Sequence, residues 1–242
     1  MNRLLPALAL AALVACAGAQ PVKKPMFSVT PSATATPLPV ITHLDLIEQT
    51  DTPNQPDQRI PIDDVITPIR MQVVRAVIEA DVARGHKVIM LDLNTEGGNV
   101  SAGWEFVRAM DSLKSQGVRF VCVAHQAISM GAVLLETVCD ERIAVPQAMI
   151  MFHQASLNEV SGNEQELHDW ITFLNVLEHG VEVRVCKRIH MPIKEYQWRT
   201  RRAWWLTAKL ALKYHVIDRI IPDGSKLPPL VPIHLPPAVQ LQ

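Results

Sequence analysis

The chain has 242 residues, 48% of them hydrophobic, and its 23 Lys+Arg against 24 Asp+Glu leave a formal charge of -1. That length supports one sizeable domain with trimmings. The charge balance supplies no field for nucleic acid or for an anionic membrane surface, which argues against a nucleic-acid protein.

The chain opens on MNRLLPALALAALVACAGAQ, one basic residue followed by an apolar run and then small residues. This is the pattern of a secretory signal, too short and wrongly flanked for a stable membrane span. "LVAC" ending at Cys16 resembles a bacterial lipobox, which makes residues 1–15 the signal and Cys16 the lipidated first residue of an envelope lipoprotein. Cleavage after Ala17-Gly18-Ala19 is the competing reading, an uncleaved N-terminal anchor is the third, and a cytoplasmic location is the alternative to the envelope. Residues 16–43 are rich in Pro, Thr, Ser and Ala and read as an extended tether. The folded domain is expected over 44–224, followed by a Pro-rich tail over 225–242 that lies along the surface or hangs free.

Within the domain, strand and helix patterns alternate. Gln58–Ile62 reads as a short strand, and Ile66–Ala83 as a helix whose apolar stripe is Ile69, Val73, Val74, Val77 and Ile78, stopped at Gly85. "KVIMLDLNT" reads as a strand ending at the "EGG" turn. The next helix carries Val100, Trp104, Val107, Met110 and Leu113 on one stripe, with Gly117 beyond its end. A strand over 118–124 leads to a serine turn and a helix over 130–139. Strands follow near Arg142–Val145 and Met149–His153, then a long helical pattern from about Asn163 to Arg188. Such β–turn–α units with short connections imply a layered α/β fold.

Besides Cys16 there are Cys122, Cys139 and Cys186, none in a close-spaced pair, so no zinc site is expected and no cofactor is called for. A disulfide between two of the three fits an exported protein, and the sequence does not choose the pair. Cys122 alone reads as a small core residue.

The chemistry gathers at the turns. Gly97-Gly98 allows close backbone approach. Ser129, in "QAISMGAVLL", stands where a helix N-terminus offers unpaired N–H groups. Taken alone, Ser129 reads as an N-cap. His153 ends an apolar strand and, taken alone, reads as a core or surface histidine. Together the three positions meet what a serine nucleophile needs: a base for its proton and paired N–H donors for the oxyanion.

"EGGNVSAG", "QAISMGAVLL", "ERIAVPQAMIMFHQ" and "LTAKLALKYHVIDRII" resemble, in order, the successive motifs of the Clp protease proteolytic subunit family. Those motifs are PGG-x-V-x-AG, QA-x-SMGA-x-L, R-x-x-x-P-x-x-x-x-M-x-HQ and x-S-A-x-E-A-x-x-Y-G-x-[IV]-D, and the likeness spans about Gln58 to Ile221. It implies a crotonase-like α/β superhelix of repeated strand–strand–helix units with a projecting handle, here Asn158–Leu177. It implies Ser129 as nucleophile, His153 as base, and the N–H groups of Gly98 and Met130 as the oxyanion hole. The family's third residue, an Asp, falls on Ala203, and Glu195, Glu182 and Asp169 are the downstream carboxylates left to replace it. Glu96 stands for the family's Pro, and Asn99 where Ser is common.

The resemblance therefore implies a serine endopeptidase acting on unfolded polypeptides, weakened by Ala203. A catalytically weak oligomeric scaffold is the second reading, and a crotonase-type enzyme of acyl-CoA thioesters the third. The implied assembly is a homo-oligomeric ring, stacked through region 158–177, where Leu167, Trp170, Ile171, Leu174 and Leu177 form an apolar stripe. The bland alternative is that this stripe packs on its own domain. A Clp-type ATPase is an expected partner only for a cytoplasmic chain, and the membrane is reached only through lipidated Cys16.

Overall fold

The computed structural model describes residues 58–156 and 161–233. The signal, Cys16, the tether and the start of the expected handle lie outside the described residues. Six strands form one sheet in the order β1-β2-β3-β4-β5, with β6 pairing on β4. The strands are β1 (Arg59–Ile66), β2 (Val88–Gly98), β3 (Arg119–Ile128), β4 (Glu141–Phe152), β5 (Trp204–Thr207) and β6 (Arg219–Ile220). The first four run parallel, β5 lies antiparallel on β4, and β6 is parallel to it. Parallel neighbours need crossovers, and helices α1 (Pro68–Ala83), α2 (Val100–Ser115) and α3 (Met130–Thr137) supply them. The fold is α/β, as expected.

Local chemistry fixes the helix starts. Thr67 accepts from the Arg70 N–H at 3.2 Å and Pro68 opens α1, where its missing N–H costs nothing. Asn99 accepts from the Ala102 N–H at 2.8 Å and caps α2, which accounts for Asn at this position. On α2 the buried stripe is Ala102, Phe106, Val107, Met110 and Leu113; Val100 and Trp104 sit at its half-buried margin. The core between helices and sheet is aliphatic, with Ile62, Leu93, Phe120, Ala124 and Ile150 almost wholly buried. Fully buried parallel strands read as continuous apolar runs for this reason.

The two strands expected near 142–145 and 149–153 are one strand, β4, passing through Pro146. Its pairing with β3 is interrupted between Ala144 and Met149. Comparable breaks interrupt β1 on β2 between Asp63 and Val65, and β2 on β3 between Leu93 and Asn94. Beyond the breaks, the last residues of β2, β3 and β4 converge on the turns that carry Gly97, Ser129 and His153.

Helix α4 (Glu164–Ile189) starts in a capping box between Asn163 and Glu166, and α5 (Ile193–Thr200) and α6 (Ala208–Lys213) complete the helices. At 26 residues, α4 is about 39 Å long. Its buried residues begin only at Glu182, while Trp170, Ile171, Phe173 and Val176 are exposed. The first half of the helix therefore projects, with Leu167, Trp170 and Ile171 of the expected stripe exposed among the described residues, while Leu174 and Leu177 are half-buried and Leu177 lines a cavity of its own domain. No helix among the described residues is long and apolar enough to cross a membrane.

The disulfide joins Cys122 of β3 to Cys139, just past α3, and Cys186 is a free, buried thiol. The early part of the Pro-rich tail lies along the edge of β1: the Arg59 N–H donates to Pro229, the Val231 N–H donates to Arg59, and Val231 is buried.

Candidate active site

Ser129 sits between the last residue of β3 and the first of α3 with φ 56° and ψ -120°, a conformation costly for a residue with a Cβ. The N-cap reading fails here, because the Ser129 side chain makes no capping hydrogen bond. Its Oγ instead lies 2.8 Å from Nε2 of His153, the residue directly after β4. The Ser129 N–H donates to the Met151 carbonyl at 2.8 Å, which ties the serine turn to the strand that delivers the histidine.

Small residues make the turn geometrically available. A Cβ on Gly97 would lie 2.5 Å from the Ile128 carbonyl oxygen and 2.7 Å from the Ser129 Cβ. A Cβ on Gly131 would lie 2.6 Å from the Thr95 methyl. Gly97 and Gly98 take φ of 89° and 141°, values that side-chain-bearing residues rarely adopt. Gly98 packs against the end of β1, where a Cβ would meet the Ile66 carbonyl at 2.5 Å. Met130 opens α3, and its N–H donates no hydrogen bond among the described residues. An unspent donor beside a nucleophile, at a helix start, is suited to hold developing negative charge.

Ser129, Met130 and His153 line one cavity with Val100, Val133, Leu177 and Val181. Of the three carboxylates considered from sequence, Glu182 lines this cavity; it is only 8% exposed and accepts from Gln197 Nε2 at 2.8 Å. Glu195 is paired with Arg199, and Asp169 accepts from Gln165 on the projecting half of α4, so neither reaches the site. Glu178, one turn before Glu182, also lines the cavity and accepts from the Ala155 N–H, two residues past His153. Sequence reasoning missed Glu178, although its spacing from Leu174, Val181 and Glu182 puts it on the same face of α4.

Burial holds the Glu178 carboxyl above its ordinary range and the charge of Glu182 adds to the rise, against the pull of the Ala155 N–H and of His153. Cys186, close by on α4, is an unreactive thiol pushed up to about 11 by burial. Among the described residues no carboxylate oxygen comes within 4.0 Å of a His153 ring nitrogen.

The absence has a structural address. The antiparallel β4–β5 ladder ends at the pair Phe152 and Trp204, so His153 follows its last residue on one strand and Ala203 precedes its first residue on the other. Glu96 is exposed on β2 beside Gly97.

A family profile for Clp protease matches residues 60–224, most of the described chain. The chain belongs to the Clp protease family. The ATP-dependent Clp protease proteolytic subunit 1 of Bacillus cereus (strain ATCC 10987 / NRS 248) is 26% identical over 153 residues, covering 63% of this chain and 78% of that protein. At the level of the family this is a serine protease of the Clp type. Among the described residues no group of His, Cys, Asp and Glu is arranged to hold a metal ion.

Proposed function

We propose that the protein is a serine endopeptidase that hydrolyses unfolded polypeptides through an acyl-enzyme on Ser129. The observation that carries this is the 2.8 Å contact between Ser129 Oγ and His153 Nε2, made from a serine backbone at φ 56° whose side chain does not cap α3. Oγ attacks the scissile carbonyl carbon while His153 Nε2 takes its proton. The oxyanion is held by the N–H groups of Gly98 and Met130. His153 then passes the proton to the leaving amine, and water, deprotonated by the same nitrogen, releases the acyl group. Without a carboxylate beside it, His153 bears its transient charge less well, and turnover is slow.

Labelling with a fluorophosphonate tests this. Ser129 should label covalently, and Ser129→Ala should lose both labelling and hydrolysis of an unstructured peptide while keeping its fold. Hydrolysis that persists in Ser129→Ala refutes the assignment. The second reading, an inactive scaffold, rests on Ala203, and a Ser129 inert to the probe would favour it.

The exposed apolar side chains on the first half of α4 support assembly of copies into stacked rings, since monomers rarely leave such a stripe in water. A monomeric mass at micromolar concentration would reject this. The Cys122–Cys139 disulfide supports an oxidising compartment, and with it the envelope location through Cys16. Palmitate incorporation that disappears in Cys16→Ala is the expected result. In that location a cytoplasmic Clp-type ATPase is out of reach, and the substrates are chains already unfolded.

A further inference from the structure

The cavity beside Ser129 has a lining that does not suit an apolar occupant alone. Val100, Met130, Val133, Leu177 and Val181 give it aliphatic walls, and Glu178 and Glu182 place two carboxylates in those walls. One oxygen of each is engaged, Glu178 by the Ala155 N–H and Glu182 by Gln197. The other oxygen of each has no hydrogen-bond partner among the described residues. Glu182 is nonetheless more than nine-tenths buried. Neither carboxylate has a Lys or Arg nitrogen within 4.0 Å among the described residues; the nearest cationic candidate is His179, 3.8 Å from Glu182. The two stand four residues apart on one helix, where like charges repel.

Buried carboxylates ordinarily sit beside a Lys or Arg, and among the described residues neither buried Glu182 nor half-buried Glu178 has one. We infer that the cavity is the pocket for the substrate side chain next to the scissile bond, and that it takes lysine or arginine. The inference rests on the peptidase reading for its geometry, because Ser129 and His153 line the same cavity. A lysine or arginine stem lies along aliphatic walls while its head meets carboxylate oxygens, so one side chain satisfies both halves of the lining. Leucine or norleucine fills the aliphatic part and shuts the free oxygens away from water with no donor. A site built to bond a polar head discriminates strongly against the analogue that lacks it.

The test compares two fluorogenic peptides that differ only in lysine or norleucine before the scissile bond. Wild type should favour lysine in kcat/KM by at least about tenfold. Glu178→Gln should cut that ratio to near one, and Glu178→Asp should keep most of it. In parallel, Ser129→Ala should bind the uncleaved lysine peptide at least about tenfold more tightly than the norleucine peptide, read by fluorescence anisotropy.

A wild-type enzyme that cleaves both peptides equally overturns the inference and leaves the peptidase standing. A Glu178→Gln variant that slows both peptides by the same factor also overturns it, since Glu178 then serves His153 or the fold. Preferential lysine binding without any turnover upholds the pocket and removes the peptidase. Neither preference nor turnover removes both.

Discussion

Restoring a carboxylate at position 203 should accelerate the enzyme. In Ala203→Asp the new side chain stands directly before β5, next to the last pair of the β4–β5 ladder, Phe152 and Trp204, and His153 stands directly after β4 beside the same pair. Directly opposed residues in such a ladder hold their Cβ atoms about 4.5–5.5 Å apart, within reach of a carboxylate and an imidazole. Where an intact triad loses this carboxylate, the rate falls about 10⁴-fold. The full factor is not expected to return here. His153 is exposed, so water screens the pair, and Arg199, Arg201 and Arg202 surround Ala203 and compete for the new charge. A gain of about 10–100-fold in kcat/KM remains, about 1.4–2.7 kcal/mol off the barrier.

The assay is steady-state hydrolysis of the lysine peptide, with a pH profile and a thermal melt beside it. Position 203 is exposed, so stability should shift by no more than about 0.5 kcal/mol. Ala203→Asn supplies similar shape without charge and should not reproduce the gain. A kcat/KM within twofold of wild type, with an unchanged melt, would falsify the claim that His153 lacks only its orienting charge.

Three other outcomes are expected. Replacing Cys122 and Cys139 with Ala opens a loop with a sequence separation of 17, costing about 3 kcal/mol; the melt should fall by roughly 6–12 °C and reductant should then have no further effect. Gly97→Ala forces a Cβ to within 2.7 Å of the Ser129 Cβ at a φ of 89°, so fluorophosphonate labelling of Ser129 should slow by at least about tenfold; unaltered labelling would mean that the two turns do not depend on each other. Burial raises the Glu136 carboxyl from 4.5 to about 8 despite Arg142 at 2.5 Å, so the folded state holds this proton more tightly than the unfolded chain does. The stabilisation is full below about 4.5 and lost as pH rises through about 8, and Glu136→Gln should flatten that part of a urea-stability profile.

What the sequence made legible followed from periodicity. Apolar runs marked β2 and β3, and stripes at helical spacing marked α1 and α2, because burial on a parallel sheet leaves no other pattern open to those residues. The gap expected between Val145 and Met149 is bridged in the continuous β4, which carries Pro146 at the break in pairing between Ala144 and Met149, where no ladder hydrogen bond is lost. The disulfide partners were not legible, because Cys122 and Cys139 meet only after α3 folds back over β3.

The serine shows the deeper limit. Helix-start statistics favour a cap for Ser129, and a backbone held at φ 56° leaves no trace in composition or spacing. Its combination with Gly97-Gly98 and His153, and then the order of motifs around it, pointed to a nucleophile. The same order puts Ala203 at the family's Asp position, because the residues following it continue the family pattern without a gap. Glu178 lay beyond both kinds of evidence. A glutamate on a long polar helix looks like a solvated one until the fold closes the cavity around it. What separates Glu178 from the exposed acids earlier on α4 is the place where that helix stops projecting and starts packing, and only the tertiary structure sets it.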